Sequence, residues 1–281
     1  MKKQTHYILY LFMIVSLFSC KKEYNPDGNG ITSTPATFEW KFESNPFWSD
    51  EFNTDGAPDA TKWGYDIGGT GWGNNELQYY TNGLNTSVSG GFLKIEARKE
   101  FYSGKNYTSA RMISKNKGDW IFGRIEVKAI LPRGRGTWPA IWMLPTDWVY
   151  GGWPNSGEID IMEHVGYDPN KVHITIHTKA YNHTLGTQKS SNTIVNTAFD
   201  AFHLYRIDWA PYGIRGYINN EKIFEFSNPA TGSDHWPFDQ RFHLLLNIAV
   251  GGNWGGLQGV DDSIFPAAMQ IDYVRVYRFT R

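Results

Sequence analysis

The sequence predicts an all-β fold, either a sandwich of two sheets or the related jelly roll. Many short segments alternate apolar and polar residues, as half-buried strands do, because successive side chains point to opposite faces. No stretch sustains the apolar periodicity of a helix. Turn residues separate the segments, and Asn219-Asn220 is a two-residue hairpin signal. Together these patterns favour antiparallel sheets packed face to face.

The predicted strands follow this alternation through the chain. It is clearest at 124–129 and 204–209, where every second residue is apolar. In chain order, the predicted strands are 92–97, 109–114, 124–129, 140–144, 172–178, 204–209, 213–218, 222–226, 243–249 and 272–277.

The N-terminal residues indicate export and are not expected to belong to the fold. Two lysines precede an apolar stretch, 7–18, which is shorter than the ~20 residues of a membrane-spanning helix. The stretch ends in Leu17-Phe18-Ser19-Cys20, which resembles the lipobox of bacterial lipoproteins. That resemblance implies a signal peptide over 1–19 and an acylated Cys20. The protein would then be exported and anchored to a membrane, with the outer membrane or the cell surface as the expected location.

The remaining chain divides into a tether and one domain. Residues 20–37 are polar and rich in Gly, Pro and Thr, which predicts a flexible connection between lipid and domain. From 38 to 281 no second linker, low-complexity tract or repeat interrupts the strand pattern, so this range is predicted to be a single domain. Cys20 is the only cysteine, and no disulfide is expected.

Composition excludes some classes of partner. The chain has 27 Lys+Arg against 28 Asp+Glu, which gives no electrostatic reason to expect nucleic acid. Aromatic residues make up 16% of the chain and include 12 tryptophans. Such enrichment suits either a large aromatic core or a groove that stacks on sugar rings.

Three acids lie in one apolar run, 157–163 (GEIDIME). On a regular strand Glu158 and Asp160 point to the same face. Glu163 would point to the opposite face unless the strand contains a β-bulge, which adds one residue. A solvated strand face is the ordinary explanation for such acids, but the apolar neighbours and the upstream loop 151–154 (GGWP) favour a buried, functional group.

The arrangement suits a retaining glycosidase, which needs two carboxyls about 5–5.5 Å apart. One carboxyl attacks the anomeric carbon as an anion, and the other gives a proton to the leaving oxygen. Neighbouring charges raise one pKa, and Asp160 lies between the two glutamates to tune that sharing. The spacing of Glu158 and Glu163 alone does not show which of them is the nucleophile and which is the proton donor.

The acidic run resembles the bulged active-site signature of glycoside hydrolase family 16. The resemblance covers nearly all of 38–281 and is closest to the laminarinase branch. The similar segments are 47–52 (FWSDEF), 71–80 (GWGNNELQYY), 107–111 (YTSAR), 138–144 (WPAIWML), 246–254 (LNIAVGGNW) and 271–277 (IDYVRVY).

This resemblance implies a two-sheet β jelly roll of the concanavalin A-like type, with an open cleft across its concave face. Glu158 would be the nucleophile, Glu163 the acid/base and Asp160 the assisting carboxylate. The implied substrate is a β-1,3-glucan such as laminarin, cut internally and without a catalytic cofactor. An accessible cleft on one compact domain also suggests a monomer.

The family's sugar contacts can be transferred where residues match. Trp142 could instead belong to the core, Arg111 could be an ion-pair partner, and His177 could be structural. These three residues are kept among the implied substrate-binding residues, which are Asn75, Arg111, Trp138, Trp142, Trp153, His177, Asn247 and Trp254.

One structural calcium ion is also implied by the resemblance. The matching positions are Glu51, Gly91 and Asp272, which would act mainly through backbone carbonyls. A catalytic metal is not expected, because His173 and His177 share a strand face but no third ligand follows at a recognisable spacing.

Two alternatives to β-1,3-glucan hydrolysis remain open. The same chemistry could act on mixed-linkage β-1,3-1,4-glucan or an algal galactan. Sulfated galactans favour basic clefts, and the only basic cluster near the predicted cleft loops, 133–135 (RGR), suggests an ordinary turn. A non-catalytic carbohydrate-binding protein could share the fold, although it has no reason to keep all three acids.

Overall fold

Two antiparallel sheets of eight strands dominate the structure, a computed structural model that describes residues 39–280. The predicted signal peptide, Cys20 and the tether lie outside the described residues. Within 39–280, no helix is long and apolar enough to cross a membrane. The described helical structure is a single 3₁₀ turn, Asp262–Ile264.

The strands are short and follow one another closely along the chain. In order, they are β1 (Lys41–Phe42), β2 (Trp48–Asp50), β3 (Gly64–Tyr65), β4 (Gln78–Tyr80), β5 (Thr86–Ser89), β6 (Phe92–Ala97), β7 (Tyr107–Ser109), β8 (Arg111–Ile113), β9 (Asp119–Trp120), β10 (Gly123–Ile130), β11 (Thr137–Pro145), β12 (Glu158–Glu163), β13 (Lys171–His177), β14 (Lys189–Ile194), β15 (His203–Ala210), β16 (Gly213–Ile218), β17 (Glu221–Ser227), β18 (Phe242–Val250), β19 (Ala267–Tyr277) and β20 (Phe279–Thr280).

The two sheets have different roles. The site sheet has the order β14-β13-β12-β11-β18-β8-β3, with β9 beside β18. The back sheet has the order β17-β16-β15-β10-β19-β6-β5, with β2 beside β19. Two small pairs complete the described structure, β1 with β20 and the parallel pair β4 with β7. The predicted two-sheet all-β fold is confirmed.

The core lies between the sheets and contains apolar side chains from alternate positions on their strands. Ile125 and Val127 of β10 and Ile141 and Met143 of β11 are fully buried. Complete burial of an Ile or Met side chain stabilises the fold by about 1.5–3 kcal/mol relative to exposure. The inward-facing side chains of the site-sheet strands are therefore fixed by packing. This packing holds the backbone that carries the outward-facing side chains in place.

Most predicted strands are present with small shifts at their ends. Asn219-Asn220 joins β16 to β17 as predicted, and Asn219 has the left-handed φ of 54° that such a turn requires. The prediction of one strand over 109–114 is wrong. The chain changes partner at buried Ala110, so that β7 pairs with β4 whereas β8 pairs with β18. The alternation of apolar and polar residues predicts a strand, but it does not show with which other strand that strand pairs.

The three positions predicted to bind calcium adjoin one another on the back sheet. Strand β19 pairs with β6 as far as Ile271 and with β2 from Val274 onward. Asp272 therefore lies where β19 changes partner, near the end of β2, which Glu51 follows, and the start of β6, which Gly91 precedes. The Glu51 carboxylate accepts two hydrogen bonds from Arg275, at 2.9 and 2.7 Å, and Asp272 pairs with Lys128 at 2.8 Å. Both carboxylates are thus already neutralised by cations.

Candidate active site

A cavity of about 410 Å³ lies on the outer face of the site sheet. Every second residue of β11 from Trp138 to Leu144 lines it, and Asn247 and Ala249 of β18 line it in the same way. This follows from strand geometry, because the intervening residues Ile141 and Met143 point into the core. The cavity therefore rests on a rigid sheet.

A β-bulge in β12 brings all three acids to this cavity. Asp160 lies opposite Thr175 of β13 and Glu163 lies opposite His173, so three steps on β12 match two on β13. The extra residue falls at Ile161 and Met162, both of which are fully buried. The predicted bulge is confirmed, and Glu158, Asp160 and Glu163 all line the cavity.

The residue before Glu158 must be glycine. Gly157 has a φ of +85°, and a Cβ there would lie 2.8 Å from Pro237 and 2.9 Å from the ring of Phe238. A larger residue would both strain the backbone and push against this buried pair. Gly157 therefore fixes where β12 begins and where Glu158 enters the cavity.

Burial raises the pKa of all three acids. Burial and then the charge of Asp160 raise the pKa of Glu158 from 4.5 to about 8. Burial is also the largest cause for Glu163, whose pKa rises to about 7. Asp160 is only 2% exposed, and burial followed by the charge of Glu163 raises its pKa well above the usual value. The cluster therefore retains at least one proton near neutral pH, as a proton donor requires.

The two glutamates have different hydrogen-bond donors. Trp138 donates its indole N–H to Oε1 of Glu163 at 3.1 Å. Trp153 donates a side-chain hydrogen bond to Glu158. His177 lies behind the acids, with its Nε2 atom 3.4 Å from Oδ2 of Asp160 and 3.9 Å from Oε1 of Glu158. Each end of the acidic run therefore has its own tryptophan.

Arg111 forms the ion pair that the sequence analysis gave as an alternative, and its predicted contact with sugar stays a prediction. Its guanidinium lies 4.7 Å from the ring centroids of Trp72 and of Trp142. It also forms an ion pair with Asp66, with Nε 3.0 Å from Oδ2. Arg111 lines the cavity, so one side chain supports a tryptophan wall and presents a cation to the cavity.

Trp142 belongs to the cavity wall and not to the core. Its indole Nε1 donates to Oδ1 of Asn247 at 2.7 Å, and Nδ2 of Asn247 donates to the hydroxyl of Tyr80 at 3.0 Å. Tyr80 in turn donates to Oε2 of Glu76 at 3.1 Å, and Gln78 donates to the same oxygen at 2.6 Å. This chain, called the Glu76 relay below, fixes the plane of Trp142.

Three predicted sugar contacts do not line the cavity. Asn75 is exposed and donates to Oδ1 of Asn253 at 2.8 Å. Trp254 packs edge-on against Trp138, with centroids 5.5 Å apart, and His177 is 6% exposed behind the acids. Their predicted contacts with sugar stay predictions.

Several cavity residues were missed by the sequence analysis. Trp72 and Glu76 lie within the segment 71–80, where a tryptophan and an acid beside glycines were an available signal. Trp148, His183 and Thr184 lie in loops where no motif marks them. The missed residues that line the cavity are Trp72, Gly73, Asn74, Glu76, Ala140, Leu144, Trp148, His183, Thr184 and Ala249.

Comparisons with known proteins find relatives over most of the chain. Residues 71–275 match the family described as glycosyl hydrolases family 16. The beta-glucanase of Rhodothermus marinus is 56% identical over 241 residues, which cover 83% of this chain and 84% of that protein.

Two solved structures are also similar. The X-ray structure of the laminarinase from Rhodothermus marinus superposes with a TM-score of 0.83 at 54% identity, over 85% of this chain and 99% of that one. A mutant of a non-specific endo-β-1,3(4)-glucanase, co-crystallised with 1,3-β-D-cellotriosyl-glucose, superposes with a TM-score of 0.81 at 45% identity, over 87% of this chain and 98% of that one.

Proposed function

This chain belongs to glycosyl hydrolase family 16, and from that membership we propose that it hydrolyses β-1,3-glucan at internal linkages with retention of configuration. The observation that carries the proposal is the acidic run, whose two glutamates and one aspartate share a tryptophan-lined cavity across a bulge. The relatives named beta-glucanase and laminarinase support the choice of substrate.

The reaction takes two steps, each centred on the anomeric carbon. In the first, the Glu158 carboxylate attacks that carbon while Glu163 protonates the departing glycosidic oxygen, which leaves a glycosyl ester on Glu158. In the second, Glu163 takes a proton from water, and the water oxygen displaces Glu158 from the same carbon. Two inversions return the original configuration, and both carboxyls recover their starting protonation.

Asp160 accepts the proton of the nucleophile in this scheme. The hydrogen bond between Glu158 and Asp160 raises the pKa of Glu158 and lowers that of Asp160, so Glu158 holds the shared proton in the free protein. The pKa of Glu163, raised to about 7, leaves that residue protonated in mildly acidic to neutral solution. Transfer of the Glu158 proton to Asp160 gives the two glutamates the opposite protonation states with which the cycle begins.

The cavity walls suit a glucan chain. Trp142 and Trp153 offer aromatic faces to the apolar C–H faces of sugar rings, whereas Arg111 and Asn247 offer donors to hydroxyls. Arg111 is the only Arg or Lys among the described residues that line the cavity. Arg133 pairs with Asp200 instead, and this charge distribution favours a neutral glucan over a sulfated galactan.

The test is reducing-end release by the purified protein from laminarin, with lichenan and agarose in parallel. Release from laminarin is expected. Cleavage of lichenan as well would extend the activity to mixed-linkage glucan, a candidate that the non-specific endo-β-1,3(4)-glucanase supports. Glucan binding without release from any polymer would overturn the proposal in favour of a carbohydrate-binding protein.

We also propose that Cys20 carries a lipid that anchors a monomeric enzyme to the outer membrane or the cell surface. The support is the lipobox-like sequence ahead of Cys20. Labelling with an alkyne fatty acid in a bacterial host should mark the wild type and not Cys20→Ser. Light scattering of the detergent-solubilised protein should give the mass of one chain.

A structural calcium ion between Glu51, Gly91 and Asp272 is a third proposal. Because both carboxylates already pair with cations, backbone carbonyl oxygens would be the principal ligands, as suits this ion. Removal of the calcium ion with EDTA is expected to lower the melting temperature and to leave the arrangement of the catalytic acids unchanged. An unchanged melting temperature in excess EDTA would contradict the proposal.

A further inference from the structure

Two carboxylates and one imidazole converge at the floor of the cavity. A carboxylate oxygen of Glu158, one of Asp160 and a ring nitrogen of His177 all lie within 4.8 Å of one another. Strand pairing causes the convergence, because Glu158 lies directly opposite His177 on β13. No spacing within the sequence predicts this set, since its members come from two strands.

The distances suit a small divalent ion. Nε2 of His177 lies 3.4 Å from Asp160 Oδ2 and 3.9 Å from Glu158 Oε1. Ligands about 2.0–2.2 Å from a tetrahedral Zn²⁺ are separated from one another by roughly 3.4 Å. The separation of His177 and Asp160 already matches this value, and that of His177 and Glu158 exceeds it by about 0.5 Å.

A second observation points to a missing cationic partner. Asp160 is 2% exposed, and its Oδ2 atom accepts no hydrogen bond from any described residue. A buried carboxylate oxygen without a partner carries a desolvation penalty that a bound cation removes. This oxygen is the one that faces His177.

We propose that Glu158, Asp160 and His177 form a binding site for one divalent transition-metal ion, such as Zn²⁺ or Cu²⁺, and that the ion blocks the hydrolytic reaction. An imidazole with two carboxylates favours these ions over Ca²⁺ and Mg²⁺, which prefer all-oxygen sites. Glu158 and Asp160 line the cavity, so the ion can enter by the substrate's route.

The inhibitory part rests on the proposed function, whereas binding does not. A metal ion on Glu158 would occupy the lone pairs that attack the anomeric carbon, and it would displace the proton that Glu158 and Asp160 share. The ion would therefore compete with substrate, and a chelator would restore activity.

Binding is tested without reference to activity. The full-length protein, freed of metal with EDTA, is titrated with Co²⁺ in a spectrophotometer and with Zn²⁺ in a calorimeter. One ion per chain is expected, with visible absorption bands of low-symmetry Co²⁺. His177→Ala should weaken binding at least about tenfold, and His177→Gln serves if the alanine variant does not fold.

His203→Ala is the matched control. His203 lies on β15, hydrogen-bonded to Thr197, and it does not line the active-site cavity. Its variant should bind metal as the wild type does. Absence of binding to the wild type, or equal binding by the His177 variants, would overturn the site.

The inhibition arm uses laminarin hydrolysis with and without Zn²⁺. Competitive inhibition that EDTA reverses supports the whole proposal. Binding that depends on His177 but leaves hydrolysis unchanged would refute the inhibitory part. If the protein binds metal in this way but cleaves no glucan, the proposed function fails and the metal site stands.

Discussion

Trp138 donates its indole N–H to Oε1 of Glu163 at 3.1 Å, although burial favours the protonated form of that acid. The donor stabilises the carboxylate and lowers its pKa, whereas burial raises it. The charge of His177 also lowers this pKa and the charge of Glu158 also raises it, and with burial and the indole hydrogen bond these effects set the pKa of the proposed acid/base at about 7. One neighbouring side chain thus tunes the proton donor towards the working pH of an enzyme.

Trp138→Phe removes this donor and keeps an aromatic ring. The pKa of Glu163 should rise by about one unit, since a hydrogen bond to a charged group contributes about 1.5–3 kcal/mol and 1.36 kcal/mol corresponds to one unit. The alkaline limb of the pH profile of kcat/KM should therefore move to higher pH. Trp254→Phe, which alters the ring that packs on Trp138, is the control and should leave the limb in place.

The roles of Glu158 and Glu163 should be distinguishable by the activity of their variants on substrates with different leaving groups. Glu158→Gln should lower kcat by at least about a thousandfold on every substrate, because the attacking atom is gone. Glu163→Gln should lose activity on laminarin and keep its first step on an aryl glucoside whose leaving group needs no proton. Glu225→Gln, a surface variant on β17, is the control. Equal losses on both substrates for Glu163→Gln would reverse or refute the assigned roles.

The acids should make the fold less stable as the pH rises. The pKa of Glu158 is about 8 in the folded protein and 4.5 ordinarily, so the folded state binds more protons between these values. Its stabilising contribution is full below about pH 4.5 and is lost as the pH rises to about 8. Glu158→Gln does not ionise, and at pH 9 it should be more stable than the wild type by on the order of 1–3 kcal/mol. Urea unfolding at pH 5 and 9 measures this difference, and a wild type that gains stability over this range contradicts it.

The Glu76 relay should act on substrate binding through Trp142. Tyr80→Phe removes the hydroxyl that joins Asn247 to Glu76, which leaves a buried carboxylate one donor short and should cost about 1–3 kcal/mol of stability. The KM for laminarin should rise more than kcat falls, because the plane of Trp142 is released. In a Trp142→Phe background the same change should have little further effect on KM, whereas additive effects would show that the relay does not act through Trp142.

Much of the fold and the centre of the site follow from local sequence. The alternation of β12 predicts the shared face of Glu158 and Asp160, and the offset of Glu163 predicts the bulge, because both depend on one strand alone. The hairpin at Asn219-Asn220 was predictable for the same reason. Each of these features is decided within a few residues of chain.

The features that were missed depend on distant segments. Glu76 reaches Asn247 through Tyr80, and Arg111 lies between Trp72 and Trp142, so no local pattern reveals either arrangement. A resemblance gives a residue's place in the chain but not the direction of its side chain, which is why Trp254 was expected in the cavity wall and instead supports Trp138. The metal-ligand set of Glu158, Asp160 and His177 likewise arises from pairing between strands.

The bulge in β12 makes the spacing of the acids depend on the length of the chain. Deleting Ile161 or Met162 would remove the bulge and restore regular pleating, and Glu163 would stay on the face of Glu158 and Asp160. The chain from Asp160 to Glu163 would shorten from three steps to two, at the loss of one fully buried side chain. The alternation of the strand therefore sets the common face of the acids, whereas the bulge sets the distance between the two glutamates along the strand.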